Sequence, residues 1–195
     1  EELEMKKFIT ICFLVILGAG SVANANTTSQ IWYFNNDDPM PMPDVVQNAP
    51  GIDPALMLVT PGPGGGWDNG MWELSGEIDV LIDNDPRLND YKTIHIELLW
   101  SEGTLDSFLP MSPLVGVTAT PMDRMEMDVI HEPIAGTPQT LSIYDIIIWP
   151  NPPSEWIAIK GNIVVDELRI DTACIPEPAT MGMLGLGGLA LLRHR

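Results

Sequence analysis

The chain has 195 residues, of which 27 are acidic and nine are lysine or arginine, giving a formal net charge of −18. A surface this acidic repels a phosphate backbone, so the composition argues against nucleic-acid binding. The hydrophobic share of 45% is enough for one domain with a buried core, which argues against disorder over most of the chain.

The amino-terminal segment, residues 1–25, has the three parts of a secretory signal peptide. Two lysines precede a mainly apolar run over residues 8–17, and small residues end the segment at Ala25. The run is too short to span a bilayer comfortably, so we expect a signal peptidase to cleave after Ala25. Three of the first four residues are acidic, which opposes the inside-positive orientation, and Met5 is therefore the expected natural start.

Residues 26–173 are predicted to form one exported β domain, because alternation of apolar and polar residues recurs there while helical periodicity does not. In segment 77–83, for example, Ile78, Val80 and Ile82 share one face, and acidic residues occupy the other. The predicted strands are 31–34, 56–60, 71–74, 77–83, 93–100, 115–120, 125–130, 141–149, 156–160 and 164–171. Eight to ten short strands between Pro- and Gly-rich turns predict an all-β, antiparallel β-sandwich of jelly-roll or immunoglobulin-like kind.

Residues 37–54, rich in Pro and Asp, are expected to form a long loop or an extended edge between the first two predicted strands.

The predicted domain carries the acidity of the chain but no pair of cysteines. Residues 26–171 hold 23 acidic and five basic residues, so the whole net charge of −18 belongs to this part. Cys12 and Cys174 lie in the two end segments, so stability must come from the core or from bound metal rather than from an internal disulfide. Two roles stay open for Cys174: an intermolecular thiol link, or a small apolar residue ending the last strand.

The carboxyl-terminal segment, residues 174–195, has the layout of a stop-transfer signal, in which a helix enters the membrane and cations stay in the cytoplasm. Its parts, in order, are Pro176, Glu177 and Pro178, an apolar Gly-rich stretch over 179–192, and a basic end with Arg193 and Arg195. This tail resembles the PEP-CTERM sorting signal of Gram-negative bacteria, whose Pro-Glu-Pro triplet and arginine cluster these residues match. The apolar stretch is shorter than the roughly 20 residues of a standard span, so the helix is expected to tilt little, to thin the bilayer locally, or to include Ile175 and the prolines at its outer edge.

The resemblance implies that an exosortase recognises and removes the tail. The mature protein is then expected to be secreted, held at the cell surface, or placed in the exopolysaccharide matrix of the cell envelope. Before processing, a transmembrane helix in the tail would anchor the chain transiently in the inner membrane. Membrane contact is thus expected only through the two terminal helices, before they are removed.

The tryptophans suggest a carbohydrate-binding surface, because sugar rings stack on flat aromatic faces while neighbouring polar groups hydrogen-bond their hydroxyls. The best predicted patch joins Trp67, Asp68, Asn69 and Trp72 in a Gly-rich region. Trp149 and Trp156 flank a proline loop and form a second candidate, whereas Trp32 and Trp100 are in phase with apolar strand residues and are expected in the core.

Asp83, Asp85 and Asp90 form the densest group of side-chain oxygens and predict a calcium site, since Ca²⁺ takes six to eight oxygen ligands. The alternative for this segment is a solvated hairpin turn. The order of residues does not match an EF-hand loop, because Arg87 and Leu88 replace a ligand and the turn glycine.

Signals for catalysis are weak. His95 and His131 are the two histidines of the predicted domain and match no zinc motif, and no nucleophile elbow occurs. The sequence therefore favours a non-catalytic structural or glycan-binding protein. The alternative is a secreted glycan-active hydrolase or lyase that uses a carboxylate pair, although 23 acidic residues single out no pair.

Overall fold

The computed structural model describes residues 26–84 and 91–175, and every regular element within these ranges is a β-strand. The strands are β1 (Asn26–Trp32), β2 (Val45–Asn48), β3 (Leu56–Thr60), β4 (Gly66–Asp68), β5 (Met71–Leu74), β6 (Glu77–Asp83), β7 (Tyr91–Glu102), β8 (Leu114–Ala119), β9 (Arg124–Pro133), β10 (Thr140–Trp149), β11 (Ser154–Lys160) and β12 (Ile163–Ile175). The described residues include no helix that is long and apolar enough to cross a membrane. The predicted signal helix over 1–25 and sorting helix over 179–192 lie outside the described residues.

The strands form two antiparallel sheets. The larger sheet has eight strands, in the order β2-β1-β12-β7-β10-β9, with β5 on β12 and β4 on β5. The smaller sheet has the order β3-β6-β11-β8. The prediction of an all-β, antiparallel fold is therefore confirmed.

Both sheets contribute to one hydrophobic core. The smaller sheet supplies Ile78, Val80 and Ile82, the larger supplies Ile94, Ile96 and Leu98, and each of these side chains is at most 1% exposed. Burying one such side chain stabilises the fold by about 1.5–3 kcal/mol. Trp32 and Trp100 also lie in this core, as predicted. A core shared by two sheets is the arrangement that the predicted sandwich requires.

Strand β12 organises the larger sheet. One of its edges pairs with β7, while the other pairs first with β5 and then with β1. Because β1 and β12 are antiparallel, Asn26 lies opposite Cys174. The first and last strands of the domain therefore meet at one end of the sheet, so the predicted signal peptide and sorting tail join the domain at that same end.

Strand β1 begins five residues before its predicted start at residue 31, and two further strands, β2 and β4, were not predicted. Strand β2 lies within the segment predicted as a loop or extended edge, and it pairs only with β1 at the edge of the sheet. Strand β4 has three residues and forms a hairpin with β5. Neither is long enough to show a clear alternation of apolar and polar residues, so periodicity did not reveal them.

Candidate functional site

The predicted glycan patch lies on the hairpin of β4 and β5. Asn69 and Gly70 make its turn, both with positive φ of 49° and 87°, which is the backbone geometry of a two-residue hairpin loop. Asp68 and Asn69 are exposed, and the Asn69 side-chain amide donates to the Asp68 carboxylate at 2.9 Å. The polar part of the patch is therefore at the surface, as a sugar contact requires.

The two tryptophans of that patch do not form an open platform. Trp72 is 4% exposed and belongs to the core, which corrects its expected place at the surface. It follows the inward alternation of β5, where Trp72 and Leu74 point to the core. Trp67 is half-buried, and its indole N–H donates to the carbonyl oxygen of Phe34 at 2.7 Å. That contact anchors the hairpin, so glycan binding at Trp67 stays a prediction.

The predicted calcium ligands fall largely outside the structure. Asp83 ends β6, while Asp85 and Asp90 lie outside the described residues. Among residues 26–84 and 91–175, no group of three His, Cys, Asp or Glu side chains is placed to hold a metal ion. Calcium binding at this loop therefore stays a prediction.

Trp149 and Trp156 belong to different sheets and do not share a surface. Trp149 ends β10 in the larger sheet, where its ring lies 5.9 Å from that of Tyr91 and the Arg124 guanidinium lies 4.7 Å from its centroid. Trp156 lies on β11 in the smaller sheet and is 50% exposed. Its indole ring is therefore partly exposed to solvent on the outer face of the smaller sheet.

The residues around Trp156 form a partly exposed strip on that outer face. In register, Trp156 lies between Leu81 and Thr118. Four residues along β11, Lys160 forms an ion pair with Glu77 at 2.6 Å. Between these two ends, Ala158 lies opposite Gly116 on one side and Asp79 on the other. A Cβ added to Gly116 would meet nothing within 4 Å, so the space above this glycine is open. The strip thus has an aromatic end, an open middle and a polar end.

The outer face of the larger sheet carries a polar network. His95 contacts Asp145 through Nδ1 at 2.7 Å and Glu97 through Nε2 at 3.2 Å. Arg169 contacts Asp171 at 2.8 Å and Glu97 at 3.7 Å. A shallow depression of about 350 Å³ lies beside this network, between β1, β12 and β7. Three carboxylates of this face, those of Glu97, Asp145 and Asp171, each contact His95 or Arg169, so part of their negative charge is offset locally.

His95 responds to this environment. Partial burial lowers its pKa, but the hydrogen bonds to Asp145 and Glu97, together with their charges, outweigh the burial and raise the pKa above its usual value. A raised pKa in the folded state means that His95 contributes stability below its unfolded pKa and loses that contribution as pH rises through the folded value.

We expect the melting temperature of the protein to fall between about pH 6 and pH 8 by an amount that depends on His95. Replacing it with glutamine (His95→Gln) removes the titration, so the fall should be smaller in the variant. Thermal melts of both proteins across this range, at one ionic strength, measure the difference. Parallel pH profiles for the two proteins would contradict the assignment.

A buried polar cluster connects the two sheets. Lys92 on β7 and Glu155 on β11 form an ion pair, and both side chains are 0% exposed. Asn84, directly after β6, contacts both of them. Burial raises the pKa of Glu155, and although Lys92 and Asn84 favour its ionised form, they do not cancel this effect.

This cluster was not predicted, although the alternation of buried and exposed residues along β7 and β11 contained a signal for it. Lys92 has the inward parity of Ile94 and Ile96, and Glu155 has that of Ile157. A charged residue in phase with buried apolar residues predicts a buried charge, which needs a partner of opposite sign in the core, although parity does not say which residue that partner is.

Comparison with known proteins concerns the tail. Residues 175–195 match the family model described as the PEP-CTERM protein-sorting motif. No curated protein and no solved structure matches the chain. The motif implies recognition by an exosortase, and with it a secreted or cell-surface protein that is anchored transiently in the membrane. The match begins at the last residue of β12 and covers the Pro-Glu-Pro triplet and terminal arginines, so the chain carries a PEP-CTERM protein-sorting motif at residues 175–195.

Proposed function

We propose that residues 26–173 form a non-catalytic β-sandwich, of jelly-roll or immunoglobulin-like kind, that binds glycan and holds the exported protein in exopolysaccharide. The binding surface is the strip on the outer face of the smaller sheet. The observation that carries the proposal is the half-exposed indole of Trp156 on β11, an inner strand of the smaller sheet.

The position of Trp156 suits a stacking contact. β11 lies between β6 and β8, so the indole is held on an inner strand rather than on a mobile loop. A rigid aromatic side chain gives contact area at low cost in conformational entropy. The Thr118 hydroxyl beside it adds a donor and an acceptor for a sugar hydroxyl.

The length and charge of the strip indicate the class of glycan. Trp156 and Lys160 are four residues apart, or about 13 Å along a strand, which accommodates a short stretch of polysaccharide. Glu77 and Asp79 supply hydrogen-bond acceptors along it. Because the domain has a net charge of −18, an acidic polysaccharide would be repelled, so the proposed ligand is an uncharged one.

A binding role does not require the carboxylates to act in catalysis. On the larger sheet, Glu97 and Asp171 are paired with Arg169, and Asp145 is hydrogen-bonded to His95. A carboxylate that already accepts from a neighbouring side chain has fewer oxygen lone pairs left for a substrate. This supports the non-catalytic proposal over a hydrolase that uses this face.

We expect Trp156→Ala to weaken retention by neutral polysaccharide at least about tenfold, as is typical when a central tryptophan is removed from a binding surface. Affinity electrophoresis in gels containing the polysaccharide measures the change. The matched control is Phe108→Ala, which removes a fully exposed aromatic ring from a segment between β7 and β8. Equal retention of wild type, Trp156→Ala and Phe108→Ala would overturn the proposed surface.

A further inference from the structure

The buried cluster of Asn84, Lys92 and Glu155 has the composition and contacts of a self-processing covalent site. The three side chains come from different parts of the fold: the end of β6, the start of β7, and the inward face of β11. Lys92 and Glu155 are completely removed from solvent. Lys92 supplies an amine, Glu155 a carboxyl group and Asn84 a side-chain amide. These three groups are the minimal set for amide exchange.

The hydrogen bonds orient the amide of Asn84. Its Nδ2 donates to Glu155 Oε2 at 2.7 Å and to the carbonyl oxygen of Pro152 at 2.6 Å, which uses both of its hydrogens. Its Oδ1 faces the Lys92 amine. The backbone N–H of Asn84 donates to the carbonyl oxygen of Pro153 at 3.0 Å and holds the residue in place. The amine therefore lies against the carbonyl group of the amide, and the carboxyl group lies against its leaving nitrogen.

The carboxyl group also contacts the amine. Glu155 Oε1 accepts from Lys92 Nζ, while Oε2 accepts from Asn84 Nδ2. One carboxyl group thus bridges the nitrogen that would attack and the nitrogen that would leave. This is the placement of a group that carries a proton from one nitrogen to the other.

Burial favours the protonated form of Glu155. In an apolar interior, the charged form of a carboxyl group is disfavoured, and burial raises the pKa of Glu155. Glu155 is therefore suited to take a proton from the Lys92 nitrogen, which its Oε1 contacts. An amine that has given up its proton is the form that attacks a carbonyl carbon.

We propose that Lys92 and Asn84 join in an intramolecular isopeptide bond, with Glu155 as the proton carrier. Lys92 Nζ attacks Asn84 Cγ and a C–N bond forms, while Glu155 takes a proton from Nζ and delivers one to Nδ2. The Cγ–Nδ2 bond breaks and ammonia leaves. The product is a secondary amide, Glu155 is regenerated, and no oxidant or other reactant is consumed.

The bond would fasten the two sheets at a defined place. It connects the end of β6 in the smaller sheet to β7 in the larger one. Lys92 lies opposite Cys174 in register, so the bond is at the end of the sheet where β1 and β12 meet. An exported domain without an internal disulfide gains from this link the covalent restraint that a disulfide gives others.

Intact mass of the denatured full chain tests the proposal directly. We expect the wild-type protein to be lighter than its sequence by about 17 Da, the mass of the ammonia lost. Trypsin cleaves after Arg87, between the two joined residues, so a bonded sample gives one branched peptide and no cleavage after Lys92. Tandem mass spectra of that peptide locate the link.

Variants identify the groups involved. Lys92→Arg and Glu155→Gln should both have their sequence mass, and Asn84→Asp should lose water, about 18 Da, instead of ammonia. Lys160→Arg is the control, because it alters an exposed ion pair and should keep the wild-type deficit. Wild-type protein with its full sequence mass and normal cleavage after Lys92 would overturn the proposal, whether or not any variant folds. A loss of ammonia that persists in Lys92→Arg would also overturn it.

Discussion

Replacing Glu155 with glutamine (Glu155→Gln) is expected to lower the free energy of unfolding by about 3–5 kcal/mol, the usual effect of removing one partner from a buried ion pair. Glu155 accepts hydrogen bonds from both Lys92 and Asn84 within the core. Glutamine has nearly the same shape, but it leaves the Lys92 amine, which cannot form the proposed isopeptide bond in this variant, without its counter-charge. Loss of the bond adds to the effect of the lost charge. Urea unfolding of wild type and variant, followed by intrinsic tryptophan fluorescence, measures the loss.

A double variant separates the charge effect from packing. Lys92→Met with Glu155→Leu replaces the pair with apolar side chains of similar volume, so it should be clearly more stable than Glu155→Gln alone. Glu77→Gln is the surface control, because its partner Lys160 is 49% exposed and exposed pairs contribute at most about 1 kcal/mol. If Glu155→Gln and Glu77→Gln cost the same, the buried cluster does not stabilise the fold as described.

Replacing the triplet with alanine (Pro176→Ala, Glu177→Ala and Pro178→Ala) is expected to abolish processing by the exosortase. The triplet lies at the start of the matched sorting motif and follows β12 directly, whereas the domain itself is left unchanged. The precursor should therefore fold, remain in the membrane fraction and keep its tail. Immunoblots of membrane, surface and medium fractions with an antibody against the domain measure the shift.

The matched control for this variant lies further along the tail. Met181→Leu preserves the apolar character of the stretch after the triplet and should be processed as in wild type. Wild-type amounts of the triplet variant in the surface and medium fractions would show that another feature of the chain directs its sorting.

Alternation of apolar and polar residues predicted most of the long strands well because one face of each of them is buried; β9 is the exception, since it is exposed along nearly its whole length. β6 and β7 show it most clearly, since every second residue faces the shared core. The ends of β7 and β12 were placed short, because pairing with neighbouring strands extends them beyond the alternating segment. Strand pairing depends on residues that are far apart in the chain, so the partner of each strand cannot be predicted from a single sequence.

The candidate sites show a similar limit. Trp72 and Trp156 are the same residue type beside polar neighbours, but parity on the strand places one in the core and the other at the surface. Burial of Lys92 and Glu155 follows the same parity rule, which applies to charged residues as well as apolar ones. Their meeting could not be predicted, because it depends on how the two sheets face each other.

The position of the chain ends connects the fold to export. Asn26 and Cys174 are paired, so the described residues next to both predicted processing sites lie at one end of the larger sheet. A precursor attached through its tail would present this end to the membrane and direct the rest of the domain away from it. The strip around Trp156 lies on the outer face of the other sheet, where such attachment leaves it accessible.

The intact mass of the protein recovered from the cell surface and the medium is the most direct test of its export and processing by an exosortase. We expect a chain that begins at Asn26 and ends near the Pro-Glu-Pro triplet, without the apolar stretch and terminal arginines. Recovered protein that still carries residues beyond Pro178 would contradict exosortase processing.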